Sequence, residues 1–484
     1  MQTSKVIAAM MPVLQRRYPE ELEGRGLRFM GDLGVVQPPQ WDSAAVLCYG
    51  SSMLQDPSIE RLAEPLAEAA RTVARTLDLA GYRGWIVGGA VRDLALGRTP
   101  KDVDMVSAAH PDRVLELFEH THSIGKAFGI VLIQVAGIEI ELATFRTESG
   151  YSDARHPDRI QFAESPEEDA RRRDFTCNAM YLDPLNGEVC DPCGGLEDLA
   201  AGRLATVGDP RDRFVEDGLR LLRLARFGAQ LGLQPAPGLL EAAGRCSDSL
   251  SGVSAERVRA ELEGCLLGGA PDRAFDLLAR AQLLAACLPW YSAMDSLVQR
   301  AQGILGRLGP AAAGPAGWVV LLGVEGEAGD VWGARAKALR FSTVERKAVI
   351  RTAVLASQWE ELSSDGASPS ARILATRDEP WKPAWALARA RCEGGAESAK
   401  LPTLNAFGEW RAGLSAEQLF PVVLVGAKEL EAADIPRGPR WSKLIARAER
   451  AQMDGTLTAS GQVSTWLQAR AEAPGGSTGR QDPS

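Results

Sequence analysis

The chain has 484 residues, of which 24% are charged and 45% apolar, and its formal net charge is −9. That length allows two to four domains. The charge argues against indiscriminate coating of nucleic acid but leaves local basic patches free to bind it, and no run approaches the ~20 apolar residues of a membrane span.

Residues 1–58 carry helical stretches and a Pro-rich break at 37–40. Within them, 6–14 is mildly apolar behind Lys5, but Arg16 and Arg17 follow without a small-residue cleavage pattern, so it reads as a helix and not a signal peptide. Residues 59–79 place Leu62, Leu66, Ala70, Val73 and Leu77 at helical spacing and predict an amphipathic helix under a sheet. Trp85, Ile86 and Val87 read as a buried strand, and Gly88 and Gly89 follow at once. Two glycines let the backbone turn tightly and approach a ligand closely. Residues 91–96 predict a helix with Gly97 beyond its C-terminus.

The next strand, 102–106, alternates. Asp102 and Asp104 share one face and Val103 and Met105 the other. Two carboxylates on one strand face can hold Mg²⁺, a hard ion that takes oxygen ligands; a lone D-x-D is otherwise a solvated face. Residues 124–133 read as loop into strand, and 138–145 alternates with Ile138, Ile140 and Leu142 opposite Glu139 and Glu141. Glu141 is a candidate third carboxylate. Residues 151–159 are polar, contain a proline and read as an exposed loop.

From about residue 167 the pattern reads as almost wholly helical to 470, with Gly/Pro breaks near 234–238, 268–271, 309–317 and 436–439. Residues 471–484 are rich in Gly, Ser and Pro and read as disordered. Eight cysteines (48, 177, 190, 193, 246, 265, 287, 392) are scattered, as suits reduced thiols in a cytoplasm. Cys190 and Cys193 form a single C-x-x-C without a second pair or nearby histidine, a weak zinc signal.

Further motifs follow the acid pair. Residues 171–180 read RRRDFTCNAM, which by themselves could be a basic helix start. Residues 191–203, DPCGGLEDLAAGR, could be a Gly-rich turn before a helix. In 214–227, FVEDGLRLLRLARF, Asp217, Arg220, Arg223 and Arg226 recur every three residues, which predicts neighbours along one helix; that pattern also suits a surface salt-bridge ladder. Ser254 opens SAERVRAEL as a candidate N-cap.

Taken together, GG-x-V-R-D, K-D-x-D, RRDFTCNA, D-x-x-GG-x-x-DL and E-D-x-x-R resemble the nucleotidyltransferase superfamily, in particular the class II CCA-adding enzymes and related bacterial poly(A) polymerases. Cys177 stands where an aliphatic residue is usual. The resemblance implies an α+β fold: a nucleotidyltransferase head with a small mixed sheet, then an all-helical neck, body and tail. The expected divisions are an N-terminal extension of unknown role (1–58), head (59–174), neck (175–252), body (253–340), tail (341–470) and a disordered end (471–484).

The same resemblance implies addition of CCA to the 3′ end of tRNA from CTP and ATP. Asp102 and Asp104 would be catalytic and hold Mg²⁺; Gly88, Gly89 and Arg92 would take the triphosphate, and Arg173 would face the nucleotide. Asp217 and Arg220 would read the base, with Arg223 and Arg226 lining the same site. Cytosine and adenine both offer an amino donor beside a ring-nitrogen acceptor, so a carboxylate and a guanidinium can admit them. Guanine and uracil present the opposite groups. Residues 150–157 stand where the family has the loop that reshapes the pocket from C to A, which implies full CCA addition. The SAERVRAEL segment reads as a structural brace.

The rivals are an A-adding or CC-adding partial enzyme, a poly(A) polymerase and an RNA-binding pseudo-enzyme. All four histidines lie before residue 157, so the His-Asp phosphohydrolase domain of some members is not expected, nor is haem, flavin or a membrane. Arg335, Lys337, Arg340, Arg346, Lys347 and Arg351 cluster around Glu345, and Arg437, Arg440, Lys443, Arg447 and Arg450 around Glu449. Such patches suit RNA phosphates or are simply solvated faces.

Overall fold

The computed structural model describes residues 54–125, 129–149, 159–291, 295–308, 313–323, 329–377, 381–393 and 397–471. The expectations for residues 1–53, for the loop at 150–158 and for 472–484 lie outside them. No helix among the described residues is long and apolar enough to cross a membrane.

The expected helix at 59–79 is broken. A 3-10 turn, Ile59–Arg61, precedes α1 (Glu64–Leu79), because Pro65 lacks an N–H and fits only the first helical turn. Leu66, Ala70, Val73 and Leu77 form the buried stripe of α1, which packs on the head sheet. Among the described residues, seven strands form one sheet in the order β3-β4-β5-β2-β1-β8-β9. They are β1 (Gly84–Val87), β2 (Asp104–Ser107), β3 (Thr121–Gly125), β4 (Ile130–Val135), β5 (Ile138–Thr144), β8 (Tyr181–Leu182) and β9 (Val189–Cys190). Only β2 and β5 run parallel; the other neighbours are antiparallel. The alternation of β1 is used on both faces: Ile86 joins the main core, while Trp85 and Val87 join a second cluster with Phe145 and Tyr181.

The presence of β8 and β9 corrects two expectations. The head continues past residue 174, and the stretch after 167 is not wholly helical. The periodic signal hid these strands because each is two residues long. Along the chain α2 (Gly89–Ala95) follows β1, α3 (Pro111–Leu117) follows β2, and the hairpin β6 (Arg146–Ser149) with β7 (Arg159–Phe162) and then α4 (Pro166–Ala170) come between β5 and β8. Gly97 follows α2 with φ of +69°, as its expected place beyond the helix requires.

The neck holds α5 (Gly195–Ala200), α6 (Pro210–Glu216), α7 (Leu219–Gln230) and α8 (Leu239–Arg245), plus a short parallel pair, β10 (Arg203–Leu204) and β11 (Gln234–Pro235). Gly195 is irreplaceable: a Cβ there would collide with the carbonyl of Thr176. Next come α9 (Ala255–Leu267), α10 (Pro271–Arg280), α11 (Leu284–Cys287), α12 (Asp295–Arg307), α13 (Ala313–Leu321), α14 (Gly329–Ala338), α15 (Thr343–Ser363), α16 (Pro369–Thr376), α17 (Trp381–Cys392) and α18 (Leu401–Ala412). Ser254 occupies the N-cap of α9 with extended backbone, although its hydroxyl makes no capping bond. Helix α13 starts within the break expected at 309–317.

One apolar core runs from α1 to Phe407 in α18. The end of the chain, α19 (Ala416–Leu419), α20 (Ala427–Ala432), α21 (Arg440–Met453) and α22 (Val463–Ala471), has its own small core built on Val425, Leu430, Leu444, Leu457 and Leu467. Polar contacts tie the two together. Asp454 accepts from Ser370 N and Oγ at 2.7 and 2.9 Å, and Glu449 pairs with Arg377 at 2.6 Å.

Candidate active site

Strand register assembles the acidic half of the site. Val87 of β1 stands opposite Asp104 of β2, and Asp104 stands opposite Glu141 of β5. The Gly88-Gly89 turn therefore leaves β1 beside the acid pair. Asp102 lies just before β2, but the alternation holds: Asp102 and Asp104 are exposed while Val103 and Met105 are buried. Asp104 opens to solvent, yet the surrounding protein strips much of its hydration. That desolvation, then the charges of Glu141 and Asp102, push its carboxyl up to about 6, against the opposing pull of Arg173. This is a negative centre short of positive charge.

A basic half faces it. Gly88 adopts φ of +72°, which an L side chain rarely takes. A Cβ placed there would stand 3.6 Å from Arg173 Nη1, and one on Gly89 would stand 3.5 Å from Arg92 Nη2. Both arginines thus flank the turn. Arg92 is buried and donates to Asn178 Oδ1 at 2.7 Å. Asn178 donates to Asp174 at 3.2 Å, and Asp174 pairs with Arg223 at 2.9 Å. Arg173 donates from Nε to Asp169 Oδ2 at 3.0 Å and to Tyr181 Oη at 3.1 Å. Asp169 is fully buried and also accepts from Arg172, from the Tyr181 hydroxyl and from Arg146 N. Burial would raise its carboxyl, but Arg173 and Arg172 outweigh that and hold it below the ordinary value.

The neck arrangement differs from the expected ladder. Asp217 is not on the helix with the arginines; it ends α6 with extended backbone, and α7 begins two residues later. Gly218, between them, has no room for a Cβ against the carbonyl of Ser249. The three-residue spacing is real for Arg220, Arg223 and Arg226 only. Arg220 is buried, pairs with Glu216 at 2.6 Å and donates to the carbonyls of Arg213 and Arg172 at 3.0 and 2.8 Å. Asp217 instead pairs with Arg257 of α9 at 2.9 Å. Arg226 is engaged by Glu261 at 2.7 Å and lies over Phe227.

These contacts bring Gly88, Gly89, Arg92, Arg173, Asp104 and Glu141 together where β1 ends and β2 begins, at the middle of the sheet, with Arg223 joined through Asp174. Residues 84–205 match the poly A polymerase head domain, and 232–294 match the family described as "Probable RNA and SrmB- binding site of polymerase A". Proteins named CCA-adding enzyme are similar to this chain over a little under half of its length. The one from Bacillus pumilus is 43% identical over 220 residues, 46% of this chain and 54% of its own length. That from Bacillus subtilis is 41% identical over 230 residues, 48% of this chain and 58% of its own. The chain thus spans little more than half the length of these relatives. The fold is also that of the Bacillus stearothermophilus CCA-adding enzyme in complex with CTP, at a TM-score of 0.63 and 26% identity, over 84% of this chain and 98% of that one.

The family motifs omit some residues that hold the site. Asp169 and Tyr181 lie outside those motifs and look like ordinary polar and aromatic positions, while Asn178 lies inside RRDFTCNA; together they fix Arg173 and Arg92. Arg257 and Glu261 sit in the segment that reads as a brace. That segment resembles the family's S-x-E-R-x-x-x-E-L motif, in which Arg257 and Glu261 are the Arg and the second Glu, and their i, i+4 spacing puts them on one helix face.

Proposed function

We propose that this chain is a template-independent nucleotidyltransferase that adds C, C and A to the 3′ end of tRNA from CTP and ATP and releases pyrophosphate. The observation that carries this reading is the register Val87–Asp104–Glu141, which sets an under-neutralised carboxylate group beside a glycine turn flanked by two arginines.

Asp102 and Asp104 fit Mg²⁺. Both side chains leave one strand face, and Asp104 stands opposite Glu141. Among the described residues no three His, Cys, Asp or Glu side chains are placed to hold a metal ion together, so the two Asp would be the protein's share of the ligands, with water and phosphate oxygens completing the set. A bound Mg²⁺ would supply Lewis-acid charge neutralisation at the RNA hydroxyl and the phosphates. The RNA 3′-hydroxyl attacks the α-phosphorus, and pyrophosphate departs. Arg92 and Arg173, held by Asn178 and Asp169, bind the departing phosphates, with Gly88 and Gly89 giving backbone room. Asp217 accepts from the amino group of C or A, and Arg220 donates to the ring nitrogen. The three acceptors already on Arg220 leave guanidinium donors for the base.

The tRNA body is met by the basic face of α21. Lys443, Arg447 and Arg450 are exposed and have no acidic partner among the described residues, since Glu449 is taken by Arg377. Two residues of the other basic cluster are engaged in structure. Arg335 donates to Leu322 O and stacks on Trp290, and Arg340 faces Glu256.

The test offers purified protein three tRNAs, ending at the discriminator base, at C and at CC, with each nucleotide separately. CTP should extend the first two and ATP the third. Addition of A alone, addition stopping at CC, long A tails, or no addition would each select one of the rival readings instead.

A further inference from the structure

Both oxygens of the Asp217 carboxylate are held. Oδ1 accepts from the backbone N–H of Leu219 at 3.0 Å, and Oδ2 accepts from Arg257 Nη2 at 2.9 Å. The first contact belongs to the turn between α6 and α7. The second reaches across from α9. The turn has no slack on its other side, where Gly218 lies against the carbonyl of Ser249.

Arg257 is not fully used by this contact. Its Nη1 is buried and has no hydrogen-bond partner among the described residues. A buried donor without an acceptor is costly, and a side chain kept only as a brace has no reason to carry that cost. The helix around it divides its contacts. Glu261, one turn on, holds Arg226, while Arg259 binds Glu345 of α15 at 3.0 Å. Arg257 and Glu261 therefore serve the neck, and Arg259 serves the body.

Arg220 is positioned by different groups, Glu216 and the carbonyls of Arg213 and Arg172. The two members of the base-reading pair thus have separate supports, so one can be disturbed without the other.

We infer that Arg257 is a specificity-positioning residue: it fixes the rotation of the Asp217 carboxylate and so the direction of the lone pairs offered to an incoming base. This rests on the reading that Asp217 and Arg220 select C and A. A carboxylate fixed at both oxygens meets an amino group without reorganising. A carboxylate free to turn can swing away from a carbonyl and let water fill the gap, which blunts its rejection of uracil.

The experiment uses the full chain, a tRNA ending at the discriminator base, and CTP or UTP under steady-state conditions. Arg257→Gln should raise the kcat/KM ratio of UTP over CTP by about tenfold, the scale of one misplaced polar contact. Arg257→Lys keeps the charge but loses the planar fork and should shift the ratio less, in the same direction. Arg259→Gln, on the body side of the same helix, should lower the melting temperature and leave the ratio unchanged. If both Arg257 variants slow the two nucleotides equally, Arg257 only braces the neck and the inference fails. If Arg257→Gln does not fold, Arg257→Lys decides alone, and an unchanged ratio overturns the inference. Wild-type protein that incorporates neither C nor A overturns the underlying reading, and this inference with it, before any variant is compared.

Discussion

Asp104 carries two opposed consequences of its setting. As a proposed metal ligand it must be ionised, so Asp102→Ala or Asp104→Ala should abolish incorporation of both nucleotides while RNA binding, measured by filter retention, stays near wild type. Appreciable turnover by either variant in Mg²⁺ would remove these acids from the mechanism. As a carboxyl raised to about 6, Asp104 also weakens the metal-free fold. The folded state binds its proton more tightly than the unfolded chain does, so stability falls as pH rises through roughly 4 to 6. Asp104→Asn cannot ionise. Its melting temperature should therefore exceed that of the metal-free wild type at pH 7 and match it near pH 4. Asp169 has the reverse sign. Its buried carboxylate is held low by Arg173 and Arg172, and Asp169→Ala leaves both guanidiniums and the Tyr181 hydroxyl short of a partner. Such a loss costs about 3–5 kcal/mol. It should appear in denaturant unfolding, together with a raised KM for CTP and ATP as Arg173 loses its aim.

At the scale of elements, the decisive piece is the joint between α6 and α7. Asp217→Ala or Arg220→Ala should relax base choice by roughly 1–3 kcal/mol for each lost polar contact while tripolyphosphate inhibition stays close to wild type. Variants that kept full preference for C and A over U and G would place selection elsewhere. This joint also shows how far a sequence can be read. The glycine turn, the acid pair and the face shared by Asp102 and Asp104 were legible because strand alternation and tight turns are local properties. The membership of Arg220, Arg223 and Arg226 on one helix face was legible for the same reason. The place of Asp217 was not, because three-residue spacing continues across the end of a helix as readily as along it. The strands β8 and β9 are set by pairing with β1 and with each other, and two residues are too few to show a period. The buried supports, Asp169 to Arg173 and Arg257 to Asp217, depend on contacts between elements that no local pattern encodes.

Across the whole molecule, an acidic chain proposed to bind tRNA has to attract a polyanion, and the way its charges are spent decides where. Most arginines of the head and neck are committed to carboxylates such as Asp169, Asp174, Glu216 and Glu261. In the tail, Glu449 of α21 turns to Arg377, which leaves Lys443, Arg447 and Arg450 exposed along the helix without acidic partners among the described residues. Their spacing of four and three residues puts them on one face, and Leu444, Ala448 and Ala451, each one residue on and so about 100° round the helix, anchor the neighbouring face in the small core. Neutralising these three together, Lys443→Gln, Arg447→Gln and Arg450→Gln, should spare that core and so the melting temperature. It should weaken tRNA binding and, because each phosphate contact releases counterions, flatten the slope of log affinity against log salt by about 2 to 3. Transfer to a short RNA ending in CC, which reaches the head but not α21, should be unaffected. An unchanged salt slope would show this face to be solvated surface, and an equal loss on the short RNA would show that the substitutions act on the head instead.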